Sequence, residues 1–231
     1  GGVPTRKHMT YLLQVLSSTN AHKKMMQGDY HIIGIIPIGF NYLFTRDALK
    51  PSLNQTFNSK RKASIVKGDE SQRALFNAFN IEVIPGISSA AAAGAYNLAE
   101  ADLLMAPLVG YNMFNLGIGI KNGSIVDYPL SQMTLQVVAR LDTIPMEVGQ
   151  FLREDLFVKL NMFYRKVESN TRGVPIEKMY KLSERDERIM DEKITDIRIQ
   201  LTKDKKYNPS MMKLQKNIRC KIDSTLKECK K

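Results

Sequence analysis

Apolar side chains recur at helical spacing along most of this 231-residue chain. The spacing predicts helices at residues 5–16, 64–79 (broken near Gly68), 90–105, 131–141, 148–167, 184–201 and from Pro209 onward. Ser88 or Ser89 can cap the third of these helices, and Ser183, followed by Asp186, can cap the sixth. The clearest apolar faces belong to the first, fifth and sixth helices: Met9, Leu12, Leu13 and Leu16; Leu152, Leu156, Leu160, Phe163 and Val167; Met190, Ile194, Ile197 and Leu201.

Extended structure is predicted in fewer places. Residues 30–38, YHIIGIIPI, are rich in β-branched side chains and predict a short strand that ends at a proline. Residues 114–128 contain two alternating runs around Asn122-Gly123, a dipeptide that favours a tight hairpin turn. A brief extended piece, IEVIPG, stops at the Pro85-Gly86 turn. The predicted fold class is therefore mainly α with a small β component, one hairpin near 114–128 and a short strand near 30–38.

Charge distinguishes the last part of the chain. The sequence has 34 Lys and Arg against 23 Asp and Glu, a net charge of +11, which favours a polyanionic partner. Residues 203–231 hold ten of the basic residues and three of the acidic ones. Hydrophobic residues make up 43% of the chain, enough for a real core. We therefore predict an N-terminal arm or helix at 1–29, a mostly helical core of one or two lobes at 30–202, and a basic C-terminal arm at 203–231.

The predicted C-terminal arm carries an apolar residue at every fourth position from residue 214. One narrow apolar stripe on a cationic helix is too small to be stable alone, so we expect it to dock in a groove of a neighbouring subunit and promote homo-oligomers. The residues of this oligomerisation stripe are Leu214, Ile218, Ile222 and Leu226.

Catalytic and metal-binding motifs are missing from the sequence. None of His8, His22 and His31 has a metal-type partner at helical or CxxC spacing, and GxSxG, Walker, HExxH and GxGxxG motifs do not occur. Cys220 and Cys229 lie in the charged tail without a CxxC, which predicts free thiols in a reducing compartment. No apolar run approaches the length of a membrane span. We predict a protein that is not an enzyme and holds no metal or cofactor.

Several cation clusters have aromatic side chains nearby, a combination that suits single-stranded RNA because Lys and Arg hold phosphates while flat side chains stack on bases. The densest is NSKRKASIVK at 58–67, which can be a solvated turn, a localisation signal or a phosphate grip. The candidate RNA-binding residues are Lys60, Arg61, Lys62, Lys67, Arg73, Lys121, Arg165, Lys166 and Arg172. The candidate base-stacking residues are Phe57, Tyr111 and Tyr164.

Three short blocks follow the order of blocks in a viral protein family. FNSKRKAS (57–64), YNLA (96–99) and GYNMF (110–114) resemble the SFNKA, NRLA and GYEF blocks of emaravirus nucleocapsid proteins, from plant-infecting relatives of the bunyaviruses. The resemblance implies a two-lobed helical core that holds single-stranded genomic RNA in a basic cleft, with terminal arms that dock on neighbouring subunits. It also implies a location in the virion and the host cytoplasm.

Two other functions stay open beside an RNA-encapsidating nucleoprotein. One is another viral or ribosome-associated structural protein, whose basic surface would be secondary. The other is a methyltransferase, because IEVIPGISSAAAAGAY (81–96) resembles the EVIPGxSSAxAA block of the tetrapyrrole methylases, which use S-adenosylmethionine. The glycine-rich first loop of that family has no counterpart at the N-terminus.

Overall fold

The computed structural model of the protein describes residues 2–46, 52–108, 120, 123–170 and 179–230; for residues 22, 38 and 161–170 it describes the backbone alone. The strands are β1 Met26–Gln27, β2 Tyr30–Thr45, β3 Lys62–Val66, β4 Glu82–Gly86, β5 Leu103–Pro107, β6 Ser124–Arg140 and β7 Met179–Tyr180. The α-helices are α1 Arg6–Ser17, α2 Leu53–Thr56, α3 Glu70–Asn77, α4 Ser89–Asn97, α5 Met146–Asn170, α6 Glu184–Lys203 and α7 Pro209–Ile222. Within the described ranges, two 3-10 helices cover Thr19–Met25 and Lys227–Cys229.

Within the described residues, seven strands form one sheet in the order β4-β3-β5-β2-β6-β7, and β1 pairs with β2. Strand β3 is parallel to both β4 and β5, whereas β2 is antiparallel to β5. Parallel neighbours require a crossover connection, and helices α3 and α4 supply the two crossovers. The fold is therefore mixed α/β, with consecutive βαβ units at its centre.

The prediction of a mainly α fold is wrong. The helix predicted at 64–79 is the end of β3 followed by α3, the one predicted at 90–105 is α4 followed by β5, and the one predicted at 131–141 belongs to β6. The strand predicted at 30–38 is present but continues to Thr45. The second strand of the predicted hairpin is the start of β6, while the turn at Asn122 and the first strand lie outside the described residues.

Burial on both faces of the sheet explains the error at β3. Ala63, Ser64 and Ile65 are all completely buried, so this short strand lacks the alternation of apolar and polar residues that marks a half-exposed strand. A short apolar run that is followed by a helix cannot be separated from that helix by periodicity alone.

The chain forms two compact units. Unit 1 consists of Phe40–Ser131 and Thr171–Pro209, and unit 2 consists of Gly2–Gly39, Gln132–Asn170 and Ser210–Lys231. The two long strands, β2 and β6, each contribute residues to both units.

In unit 1, apolar side chains cover both faces of the sheet. Helices α3 and α6 pack on each other, and Phe76 and Met190 from these helices share a core with Ala63 and Ile65 of β3. Helix α4 packs on β3, β4 and β5, and its Tyr96 lies in a separate core. Other members of this separate core are Phe44, Ala92, Ala93, Leu104, Ile120 and Ile125. The Ser183 cap of α6 is confirmed, since its hydroxyl accepts the Asp186 N–H at 3.1 Å.

In unit 2, α1 packs on α5 and shares its core with α7. The predicted face of α1 is confirmed, because Met9, Leu12, Leu13 and Leu16 are all buried. The helix predicted from Pro209 is also present as α7, and its Ile218 is buried against the α1 face. Leu214 and Ile222 pack beside Ile218 in the same core, and Leu226 is half-buried just before the last 3-10 helix.

The cysteines of unit 2 correct a second prediction. Cys220 and Cys229 form a disulfide with their Cα atoms 5.4 Å apart, so they are not free thiols. The chain turns back between them, where the Asp223 carboxylate accepts the Thr225 N–H at 2.9 Å. This turn brings together two residues that are nine positions apart in sequence.

Candidate functional site

The carboxyl ends of the parallel strands form one edge of the sheet in unit 1. Val66 and Gly86, the last residues of β3 and β4, stand opposite each other in the parallel register. The Lys67 N–H donates to the Gly86 carbonyl at 2.7 Å, which ties the two strand ends together. In open α/β sheets, ligands bind in the crevice beyond this edge, where successive connections leave on opposite faces.

Helix α3 begins at this edge, and acidic residues of the chain itself lie at its first turn. Gly68 turns the chain with a φ of +86°, a conformation that favours glycine. The Asp69 carboxylate then caps the helix and accepts the N–H groups of Ser71 and Gln72, each at 3.0 Å. With Glu70 also in its first turn, the positive end of this helix is compensated within the chain. Lys67 precedes the turn and is exposed.

Helix α4 begins at the same edge with no acidic residue in its first turn. The Ser88 hydroxyl accepts the Ala91 N–H at 3.1 Å, which confirms the predicted cap. The first N–H groups of a helix have no partner inside it and carry partial positive charge, so the start of α4 suits an anion. Ile87, directly before the cap, has 87% of its surface exposed and offers an apolar contact at the same place.

Strand β2 adds polar groups beside the end of β5. Asn41 stands opposite Pro107 in the antiparallel register, next to the carboxyl end of β5. The Asn41 side chain is buried and donates from Nδ2 to the Ser131 hydroxyl of β6 at 3.0 Å. This bond fixes an amide and a hydroxyl at the edge of unit 1.

The carboxyl edge offers groups that can bind an anion through charge, hydrogen bonds and apolar contact. It combines the Lys67 ammonium group, the N–H groups at the start of α4, the hydroxyls of Ser88 and Ser89 and the apolar Ile87. In the described part of the chain, no group of three or more His, Cys, Asp and Glu side chains is arranged to hold a metal ion. Among the described helices, none is both long and apolar enough to cross a bilayer.

The predicted RNA-binding residues that the structure describes do not form one surface. Lys60, Arg61 and Lys62 lie at the amino end of β3, and Lys67 lies at its carboxyl end, roughly 16 Å away at about 3.3 Å per residue. At the amino end, Lys62 pairs with Glu82 at 3.0 Å, and the Arg61 guanidinium donates to the Thr45 hydroxyl at 3.1 Å. The stretch 58–67 is thus a turn followed by a buried strand.

The other predicted site residues are dispersed or lie outside the described residues. Phe57 is buried with its ring centroid 3.9 Å from that of Phe79, so the structure contradicts its role as a base-stacking platform. Arg73 is half-buried on α3. Lys121, Tyr111 and Arg172, and the side chains of Tyr164, Arg165 and Lys166, lie outside the described residues. Leu214, Ile218 and Ile222 of the predicted oligomerisation stripe pack in the core of their own unit, and the role of the stripe between subunits stays a prediction.

The sequence interpretation missed most of the carboxyl edge. Asn41, Ile87 and Ser131 were not among the candidates, because nothing local marks them. The signal that was present is the Pro85-Gly86 turn followed by a serine cap and a helix, which the sequence interpretation treated as a local turn. Only the pairing of β3 with both β4 and β5 shows that this turn lies at the carboxyl edge of the parallel strands, where ligands bind in open α/β sheets.

A family comparison covers the whole chain. The family model described as "Solute-binding protein AdeT 1/2" matches residues 1–231. Two proteins of Acinetobacter baumannii are similar over 99% of this chain: "Probable solute-binding protein AdeT1", 29% identical over 75% of its own length, and "Probable solute-binding protein AdeT2", 20% identical over 95% of its length.

Several solved structures have a fold similar to that of this chain. A TRAP periplasmic solute-binding protein from Bradyrhizobium with galacturonate gives a TM-score of 0.70 at 12% identity, over 94% of this chain and 71% of that one. One from Desulfovibrio salexigens with orotic acid gives 0.69 at 12% identity, over 94% and 71%. One from Ralstonia eutropha with (S)-2-acetolactate gives 0.69 at 15% identity, over 95% and 72%. At these identities the likeness shows the fold.

These findings overturn the viral interpretation. The resemblance to emaravirus nucleocapsid proteins, the function as an RNA-encapsidating nucleoprotein, the single-stranded RNA partner and the virion or host-cytoplasm location are all wrong, because the family model and the fold are those of solute-binding proteins. The prediction that the chain is not an enzyme is confirmed, since solute-binding proteins carry ligands without transforming them. The chain belongs to the AdeT 1/2 family of solute-binding proteins.

Proposed function

We propose that this protein binds a small organic anion, held by its carboxylate group at the carboxyl edge of β3, β4 and β5. The observation that carries the proposal is the match of a solute-binding family model to the entire chain. The three solved relatives hold galacturonate, orotic acid and acetolactate, and each of these solutes has a carboxyl group. A net charge of +11 favours the approach of such anions.

We assign the binding of the carboxylate to the N–H groups at the start of α4 and to the Lys67 ammonium group. Hydrogen bonds from charged or helix-terminal donors to a carboxylate are shorter and stronger than neutral ones, and each contributes about 1.5–3 kcal/mol. Ile87 would contact the carbon skeleton of the solute, and the Asn41 amide with the Ser131 hydroxyl would select its polar substituents. Specificity among acids would then depend on the β2 side of the edge.

We further propose a periplasmic location. The three solved relatives are periplasmic proteins. The Cys220–Cys229 disulfide supports the same compartment, since disulfides persist where the surroundings are oxidising.

Thermal-shift and calorimetric titrations with matched pairs of solutes test the proposal. Galacturonate against galactose and orotate against uracil differ by the carboxyl group, so we expect the acid of at least one pair to bind and its neutral partner to have no effect. A solute at about 100 times its Kd stabilises the folded state by about 2.7 kcal/mol, which a melting curve resolves. Equal binding of acid and neutral partner, or no binding across a panel of organic acids, would contradict the proposal.

A pair of lysine variants locates the site. Lys67→Gln removes a charge at the carboxyl edge, and we expect it to raise the Kd of the bound acid about tenfold or more. Lys60→Gln removes the same charge at the amino edge of the same sheet and serves as the control. If both variants bind the acid as tightly as the wild type, the carboxylate does not lie at this edge.

A further inference from the structure

The last residues of the described chain fold back on α7. After α7 ends at Ile222, the Asp223 carboxylate accepts the N–H and hydroxyl of Thr225 at 2.9 and 2.6 Å, which forms a turn. A 3-10 helix follows at Lys227–Cys229, and the disulfide from Cys229 returns to Cys220 on α7. The disulfide therefore closes a short loop that holds Glu228 beside α7.

Glu228 meets a buried cation at this position. The Arg219 side chain has 9% of its surface exposed, and its Nε and Nη2 donate to the two carboxylate oxygens of Glu228 at 2.5 and 2.8 Å. A pair with this two-pronged geometry is worth more than an exposed ion pair. Since Glu228 directly precedes Cys229, the disulfide restricts where its carboxylate can lie.

The same guanidinium holds the other end of the described chain. Arg219 Nη1 donates to the Gly2 carbonyl at 2.6 Å. Val3 is buried in the core that also contains Ile218, the neighbour of Arg219 on α7. One buried cation thus connects the residues before α1 with the residues after α7. If Glu228 leaves, Arg219 keeps a buried charge without its carboxylate, which is costly.

We propose that residues 223–230 are a redox-dependent clasp, in which the Cys220–Cys229 bond keeps Glu228 on Arg219 and thereby keeps the segment before α1 in place. A dithiol reductant opens the clasp by two thiol–disulfide exchanges: the S–S bond breaks, two cysteine thiols form, and the dithiol becomes a disulfide. The freed segment then moves away, Arg219 turns toward water, and residues 2–5 lose their anchor. This inference does not depend on which solute the protein binds.

Hydrogen exchange measured by mass spectrometry, with and without dithiothreitol, tests the clasp on the intact chain. We expect reduction to raise the exchange rate of peptides covering residues 2–8 and 223–230 about tenfold, while peptides covering β3 and β4 of unit 1 stay unchanged. The melting temperature of the reduced protein should be lower by roughly 5–10 °C. Cys229→Ser should reproduce the reduced state without reductant.

Two charge variants separate the clasp from general stabilisation by a disulfide. Glu228→Gln keeps the S–S bond but removes the carboxylate charge, and we expect faster exchange in residues 2–8. Asp155→Asn makes the same change in the exposed Asp155–Lys159 pair of unit 2 and should leave residues 2–8 as they are in the wild type. The proposal is overturned if reduction leaves residues 2–8 unchanged, if it raises exchange equally in unit 1, or if Glu228→Gln behaves like Asp155→Asn.

Discussion

Gly86 sits where α4 passes closely over the end of β4, and a methyl group at this position has no room. A Cβ atom placed on Gly86 would lie 2.7 Å from the Ala92 nitrogen and 3.1 Å from the Ala91 carbonyl carbon. Ordinary contact with a Cβ begins near 3.4 Å, so the shortfall is about 0.7 Å. Both obstructing atoms belong to the backbone of α4, which is held by the buried Ala92 and Ala93 and cannot swing aside as a side chain would.

We therefore expect Gly86→Ala to destabilise the protein by about 1–3 kcal/mol, the usual cost of overpacking a well-packed site. For a chain of this size the melting temperature should fall by roughly 2–4 °C for each kcal/mol. Because α4 must also shift away from the carboxyl edge, the Kd for the bound acid should rise as well.

The neighbouring Gly94 provides the matched control. It lies inside α4, and a Cβ atom there meets no atom within 4 Å. Gly94→Ala should stabilise the protein by about 0.5–1 kcal/mol, because alanine has the higher helix propensity. Urea unfolding followed by circular dichroism measures both variants. If Gly86→Ala unfolds within about 0.5 kcal/mol of the wild type while Gly94→Ala behaves as expected, the close packing of α4 on β4 is wrong.

Two other predictions concern the cores and pH. Phe76→Ala removes a completely buried ring of unit 1 and should lower the free energy of unfolding in urea by about 3–5 kcal/mol. Ile199→Ala, at a half-exposed position, should lower it much less. Similar losses for the two variants would contradict the placement of α3. Burial lowers the pKa of His8 below its usual 6.5, and the positive charges of Arg219 and Lys7 lower it further, against the opposing effect of Asp223. The unfolded chain therefore binds the proton more tightly than the folded protein does. The His8 contribution to the free energy of unfolding is complete above pH 6.5 and decreases as pH falls from 6.5 toward the lowered pKa. His8→Gln should therefore flatten that part of the plot of unfolding free energy against pH. An unchanged plot would contradict this role of His8.

Local signals in the sequence were sufficient for several helices. The α1 face is read from four apolar side chains at helical spacing, and the start of α6 is read from Ser183 and Asp186. The end of α4 has no such signal. Ala99 adopts a left-handed φ of 66° and the Glu100 N–H donates to the Ala95 carbonyl at 2.9 Å, which ends the helix as a glycine would. With alanine in this place, the predicted helix continued into β5.

The candidate site was harder to predict because its parts come from distant segments. The pairing of five strands, which no local pattern specifies, brings four of its residues to one edge: Asn41, Lys67, Ser88 and Ser131.

Net charge led to the wrong prediction of function for a related reason. Charge describes how a molecule attracts ions and partners, and it contains no information about how the chain folds. An excess of lysine suits an organic acid as well as RNA.

The three-part composition of unit 2 has a consequence for the order in which the protein is made. Its core requires the α1 face, formed by residues synthesised early, to meet Ile218, which follows about 200 residues later. Until then, Met9, Leu12 and Leu13 have no partner on α7, and their core is incomplete. Both segments of unit 1 precede residue 210 in the sequence, so this unit requires no residue of the chain after Pro209. The core of the second unit is therefore complete only once α7 has been made.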